Sequence, residues 1–304
     1  MYERYQLVLH SRQFEDIRRS FLNGRAAHAY IIEGPAGAGK RTLSKLASAL
    51  IVCREKRACL DCPDCRRALL GVHPDVHLYS SEKRISVKDM RGLIEQSALK
   101  PYEADYGVYI VENAHTATAE AQNCLLKTLE EPPAHVVFIL ATTEPQKLPA
   151  TILSRVQRYD FGRIPSELMI GRMKEALDEL HMTAEPEALQ LVARAAEGAM
   201  RDAFSILDMC VAGAENGTIT AAQVRDALGT SDREFLFAFM DCIADRDAAG
   251  VLRKVDELMR SGREPQVFLK DLSSHCRMLM TVQAVKENAA ALLDVTTEDE
   301  QRLR

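Results

Sequence analysis

No stretch of the 304 residues approaches the ~18 consecutive apolar residues that a membrane-spanning helix needs. The opening residues Met1-Tyr-Glu-Arg-Tyr5 carry no apolar core of a signal peptide. These two absences lead to the expectation of a cytoplasmic protein with no membrane partner. Positive charge is also in short supply: 39 Lys and Arg stand against 44 Asp and Glu, a formal net charge of −5. That balance excludes a wholly basic nucleic-acid binder and leaves DNA contacts that are local or shared with other chains. Internal repeats and low-complexity tracts are missing too. The length allows two or three domains, each large enough to bury its own core.

Against this background one stretch stands out. Gly34-Pro35-Ala36-Gly37-Ala38-Gly39-Lys40-Arg41-Thr42 lies between the apolar run His28-Ala-Tyr-Ile-Ile-Glu33 and a helical pattern that opens at Lys40. A strand, then G-x-x-x-x-G-K-[ST], then a helix is the P-loop pattern. Its glycines let backbone N–H groups close around phosphates, its Lys meets the β/γ oxygens and its hydroxyl holds Mg²⁺. Gly34, Gly39 and Lys40 fall in register, with Gly37 in the turn. The hydroxyl does not: Arg41 takes its position and Thr42 sits one residue late, about 100° further around the helix. The anion site is therefore expected to be intact and the metal site compromised.

Cysteine is sparse outside one segment. Of eight cysteines, Cys124, Cys210, Cys242 and Cys276 are scattered through helical patterns and read as small buried apolar residues. The other four form Cys53-x5-Cys59-x2-Cys62-x2-Cys65, a spacing that suits a tetrahedral, structural Zn²⁺ site. An Fe–S cluster also uses four thiolates and remains the alternative. His73 and His77, just downstream, read as loop and strand residues, because four thiols already complete a site.

Periodicity predicts helices at 11–26, 40–52, 85–99, 119–131 and 149–154. They alternate with strands at 29–33, 76–79, 106–111, 136–141 and 157–161. The runs at 106–111 and 136–141 are continuously apolar, as suits a parallel sheet covered on both faces. This is an α/β domain over 1–163 with the glycine-rich loop at the carboxyl end of its first strand. Strand signals stop at Pro165. Helices at 169–180, 186–196, 201–210 and 221–228 make a small helical domain, residues 229–231 a linker, and 235–243, 248–261 and 265–290 with a stub near 298–304 a longer bundle. The last pattern runs to the final residue, so the chain either ends early by nature or has been shortened.

A hydrolysing P-loop site needs a carboxylate to orient Mg²⁺ and usually a second to activate water. The strand 108–111 ends in Glu112-Asn113-Ala114-His115, where Glu112 can hold a metal-bound water but Asn113 cannot act as a general base. Thr142, at the end of strand 136–141, offers a hydroxyl that can sense a γ-phosphate, or is a simple strand end. Arg155, before the last strand, can reach a neighbouring subunit's nucleotide, or is a solvated surface arginine.

Residues 34–42, the four-cysteine insert, Gly71-Val-His-Pro-Asp75, Leu125-Leu-Lys-Thr-Leu-Glu-Glu-Pro-Pro133, Leu140-Ala-Thr-Thr-Glu-Pro-Gln-Lys-Leu-Pro149 and Ile152-Leu-Ser-Arg155 together resemble the bacterial DNA polymerase III clamp loader, an AAA+ family. The resemblance covers essentially the whole chain. It implies a RecA-like AAA+ P-loop domain with a zinc insert at about 53–70 (1–163), a helical lid (164–229) and an all-α collar (230–304). It further implies that Cys53, Cys59, Cys62 and Cys65 hold zinc and that Ser154-Arg155 is the arginine finger. Gly198-Ala-Met-Arg201-Asp202 would be the second sensor, with Arg201 reaching phosphate. The implied partners are the other subunits of a hetero-pentameric ring, the sliding clamp and primer-template DNA; the implied role is loading that clamp during replication.

Within the family the late motifs are similar to gamma/tau. Arg41, Glu112-Asn113 and the missing Lys-Tyr-Arg-Pro start resemble delta-prime, which lends an arginine finger but does not itself hydrolyse ATP. The expectation is therefore the delta-prime type, with zinc, weak ATP or ADP binding, poorly held Mg²⁺ and little or no intrinsic ATPase. The alternative is a gamma/tau-type ATPase. A zinc-containing P-loop kinase or NTPase is the third reading, and it leaves the helical tail unexplained.

Overall fold

Five short runs form one parallel sheet: β1 (Ala29–Glu33), β2 (Val76–Tyr79), β3 (Gly107–Val111), β4 (Val136–Thr142) and β5 (Gln157–Asp160), in the order β2-β3-β4-β1-β5. A computed structural model describes residues 11–55, 59–80, 84–214, 217–228, 233–260, 265–285 and 303. All residues of β1, β3 and β4 are buried, because helices cover both faces and leave no solvated side for polar alternation.

The pleat sorts these residues between two cores. On one face α1 (Ser11–Leu22), α2 (Lys40–Ile51) and α3 (Pro63–Leu70) bring Phe14, Ile17, Leu43, Leu50 and Leu69 into the core containing Tyr30, Ile32, Ile110 and Ile139. On the other, α4 (Val87–Ser97), α5 (Ala119–Glu130) and α6 (Ala150–Leu153) bring Met90, Leu93, Leu125, Leu129 and Ile152 into the core of Ile31, Tyr109, Phe138 and Leu140. Each such side chain contributes about 1.5–3 kcal/mol. The strand after β1 lies at the far edge, so the order reverses beside β1. The crevice above the carboxyl ends of β1 and β4 is where such sheets take ligands.

The cysteine segment holds a helix that periodicity did not reveal. α3 starts at Pro63, whose missing N–H costs nothing in the first turn, and ends at Gly71 in the left-handed region (φ 78°). Strands also do not stop at Pro165: β6 (Thr183–Ala184) pairs in parallel with β7 (Thr218–Ile219). The remaining helices are α7 (Ser166–Glu179), α8 (Pro186–Ala195), α9 (Met200–Ala212), α10 (Ala221–Leu228), α11 (Arg233–Ala244), α12 (Ala248–Arg260) and α13 (Pro265–Ala284). The expected linker at 229–231 and all of the expected stub at 298–304 except residue 303 lie outside the described residues.

Two compact units emerge, Met1–His181 with Val192–Ser205, and Met182–Leu191 with Ile206–Arg304. In the second, Glu185 accepts the Ala221 N–H at 2.8 Å and so caps α10. Leu236, Phe239, Leu258 and Phe268 form a core among α11, α12 and α13, with the Phe239 and Phe268 rings edge to face at 5.0 Å.

Candidate nucleotide site and cysteine cluster

The glycine-rich loop leaves β1 at Glu33 and enters α2 at Lys40. Gly39, the residue before the helix, is left-handed (φ 99°), which a side chain would resist. A Cβ on Gly34 would stand 2.3 Å from the Phe161 carbonyl oxygen, and Gly34 N–H donates to the Thr142 carbonyl at 3.2 Å. The loop is thus wedged between the ends of β4 and β5. Among the described residues no acceptor takes the N–H of Gly37, Ala38 or Gly39. Unpartnered donors at a helix N-terminus form an anion cradle. Lys40 Nζ bends over them and donates to the carbonyls of Gly34 (2.8 Å) and Pro35 (2.6 Å). Burial lowers its pKa to about 8.

The start of α9 closes over this loop. Met200 N–H donates to the Gly37 carbonyl at 3.1 Å, and a Cβ on Gly37 would meet that of Ala199 at 2.6 Å. Arg201 follows directly, so the fold brings it beside the cradle.

The metal side of the site is occupied by protein cations. Arg41 Nε lies 3.1 Å from Glu112 Oε1. Lys45, one turn further along α2, has its pKa lowered by burial and by the Arg41 charge, against the pull of Glu112. Thr42 is the next residue along α2, so its hydroxyl does not take the place of Arg41. Asn113 has φ 52° and ψ 42°, a left-handed conformation that Asn tolerates better than most residues. A turn requirement accounts for Asn there, and it brings no carboxylate. The residues present do not fit Mg²⁺. Thr142 is fully buried, and its hydroxyl pairs with His115 Nδ1 (2.9 Å) and accepts from the Glu144 N–H (3.1 Å). His115 lies 3.6 Å from Glu144, with its pKa lowered by burial.

Sequence reasoning missed Lys45, His115 and Glu144. A signal existed for Lys45: like charges four apart on a helix repel, so Arg41 and Lys45 together called for a carboxylate opposite.

Arg155 stands at the other end of the sheet. β5 lies beside β1 with Gln157 opposite Tyr30 and Asp160 opposite Glu33. From the level of Tyr30 to Gly34 is roughly 13 Å along the strand. The Arg155 guanidinium donates to the Thr151 carbonyl (2.8 Å) and pairs with Glu130 (2.8 Å) at the end of α5.

The four cysteines converge as their spacing predicted. Their sulfurs lie within 4.8 Å of one another, with Cys53–Cys59 at 3.7 Å and Cys59–Cys65 at 3.9 Å. A tetrahedron with Zn–S bonds of about 2.3 Å has sulfurs ~3.8 Å apart, so the donor set fits zinc. Cys59 Sγ accepts the Cys62 N–H and Cys62 Sγ the Cys65 N–H, both at 3.4 Å. Burial pushes the Cys62 and Cys65 thiols up, so thiolates here need a cation.

His73 and His77 stay outside the sulfur cluster. His77 stacks on Tyr109 at 4.7 Å. His73 Nδ1 accepts the Asp75 N–H at 3.1 Å, while the Asp75 carboxylate accepts from Tyr102 (2.5 Å), Glu103 and Ala104 (both 2.8 Å). Burial raises the Asp75 pKa, but these three donors outweigh it and hold the group below the usual range. The Gly71–Asp75 stretch is thus a loop-fixing device.

A five-stranded parallel sheet with its phosphate cradle after β1 and a helical segment seated on the loop defines an AAA+ type P-loop protein. The RuvB Holliday junction branch migration motor of Thermotoga maritima shares this fold, with a TM-score of 0.55 at 17% identity over 77% of this chain and 74% of that one.

The chain belongs to the DNA polymerase III clamp-loader family: residues 9–165 match the family described as DNA polymerase III, delta subunit. Residues 169–216 match the clamp loader subunit ATPase lid domain, and 219–304 match gamma and tau domain III. The chain is 32% identical to DNA polymerase III subunit tau of Bacillus subtilis and 33% to that of Escherichia coli, over 92% of its own length. It covers 52% and 44% of those proteins, about half their length. These names favour gamma/tau, the alternative of the sequence reading, over delta-prime. Among the described residues no helix is long and apolar enough to cross a membrane.

Proposed function

We propose that this chain is a clamp-loader subunit of gamma/tau descent that helps load a sliding clamp onto primed DNA, binds nucleotide in its own P-loop with little or no turnover, and lends Arg155 to a neighbour's site. The observation that carries this reading is the pairing of a free phosphate cradle with a Glu112 already committed to Arg41. Lys40 and the N–H groups of residues 37–39 are the donors for phosphate, and Arg201 is a second cation from the lid. In a hydrolysing site Mg²⁺ neutralises the phosphoryl charge; here no hydroxyl at position 41 and no carboxylate at 113 support it. Arg155, on the far side of the sheet from its own loop, is suited only to a phosphate on another subunit, where guanidinium stabilises developing charge.

The three-part division at 1–163, 164–229 and 230–304 is supported by the three family matches. On α12, Leu252, Val255 and Met259 are exposed at i, i+3 and i+7, a face that a collar of sister subunits would cover. The delta-prime role keeps one specific support, the lost metal ligands; the hydrolysing gamma/tau role is supported by the relatives' names. The ring partners, clamp and primer-template DNA follow from the family.

Co-elution tests the assignment. Mixed with the other loader subunits of its own cell, the full chain should run in one complex on gel filtration, and a chain ending at residue 230 should not. Separate elution of the full chain would sink the proposal.

A further inference from the structure

We infer that Arg41 is a built-in counter-ion standing where a hydrolysing P-loop site holds Mg²⁺, so that the ligand of this site is a metal-free nucleoside di- or triphosphate. The inference rests on the reading of the loop as a nucleotide site and specifies which form of the nucleotide it takes.

The geometry carries the substitution. Arg41 uses Nε to meet Glu112 at 3.1 Å, and its two Nη groups have no partner among the described residues. Its side chain is 62% exposed, against 13% for Glu112. The carboxylate is therefore sheltered behind the guanidinium, whose remaining donors are open to an incoming oxygen. Planar guanidinium donors match phosphate oxygens in pairs. A divalent ion approaching Glu112 would have to displace Arg41 and would sit against Lys45 as well, with neither a hydroxyl at position 41 nor a carboxylate at 113 to repay the lost water. A metal-free polyphosphate keeps the negative charge that Mg²⁺ would have neutralised; Arg41 and Lys45 present two cations around the one carboxylate, and Lys40, held by the loop carbonyls, adds a third to receive it.

Titration of the full chain with ADP and ATP by calorimetry, in excess Mg²⁺ and separately in EDTA, tests this. The expected result is affinity in EDTA equal to or tighter than in Mg²⁺. Arg41→Ala should weaken binding in EDTA by about tenfold, the worth of one charge-assisted contact, while Arg41→Thr should bind more tightly in Mg²⁺ than in EDTA. Thermal melts would establish that each variant is folded. Wild-type binding seen only with Mg²⁺, or Arg41→Ala binding in EDTA unchanged, would overturn the inference and leave the nucleotide site standing. Folded wild-type chain that binds neither nucleotide in either buffer would overturn both.

Discussion

Lys40 pays for its position with a depressed pKa of about 8, because its ammonium is buried against two carbonyls with no carboxylate beside it. A bound phosphate supplies the missing anion, so affinity needs the protonated form. Pyrophosphate or ADP binding should therefore weaken as pH rises through about 8, and the slope should vanish in Lys40→Met. The stability of the free chain should respond in the opposite sense. The folded state releases the proton near 8 and the unfolded chain only near ~10.4, so the unfolded state binds more protons in that window and stability rises with pH across it. Calorimetric titrations across pH 8 check the first trend. An affinity flat through this range would show that Lys40 does not meet the anion.

At the scale of elements, the cysteine module hangs from the end of α2 and is pinned by α3. Asp64, on α3 between two cysteines, is buried and takes Arg54 (2.6 Å) and Arg67 (2.7 Å) as counter-ions. The sulfur cluster and this ionic cluster are independent anchors. Since metal binding energy is local folding energy, freshly purified reduced chain should contain one zinc per molecule. Cys59→Ser should lower that content and speed amide exchange in residues 53–70 while leaving the sheet protected. Metal-free protein by elemental analysis would refute the assignment.

What sequence alone revealed follows from the range of each interaction. β1 and β4 were legible because continuous apolar runs need two covering layers, and the cradle because its residues are consecutive. The four sulfurs were legible from spacing. α3 was not, although Pro63 and Gly71 marked its ends, since it is only eight residues long and its Cys65, like the capping Cys62, was read as a ligand. β6 and β7 gave no local signal: two-residue strands are held by pairing across 35 positions, with the Thr183 and Thr218 hydroxyls 3.0 Å apart. Arg41 was read as a missing hydroxyl; that it finds Glu112 is a contact between α2 and the end of β3 that no spacing encodes.

At the scale of the whole molecule, the cradle and Arg155 stand at opposite ends of one sheet. On the function proposed above, a single chain would carry half of two different sites, each to be closed by a neighbour in a ring. The exposed face of α12 points to the same need. In a loader reconstituted with this chain, the decisive measurement is the clamp- and DNA-stimulated ATPase rate of Arg155→Ala beside that of Lys40→Ala. Arg155→Ala should slow the one neighbouring site it completes by about 10³ and so remove that site's share of the total rate, and Lys40→Ala should change that rate little. A crippled Lys40→Ala complex with a silent Arg155→Ala would contradict the account and make this chain a hydrolysing subunit in its own right.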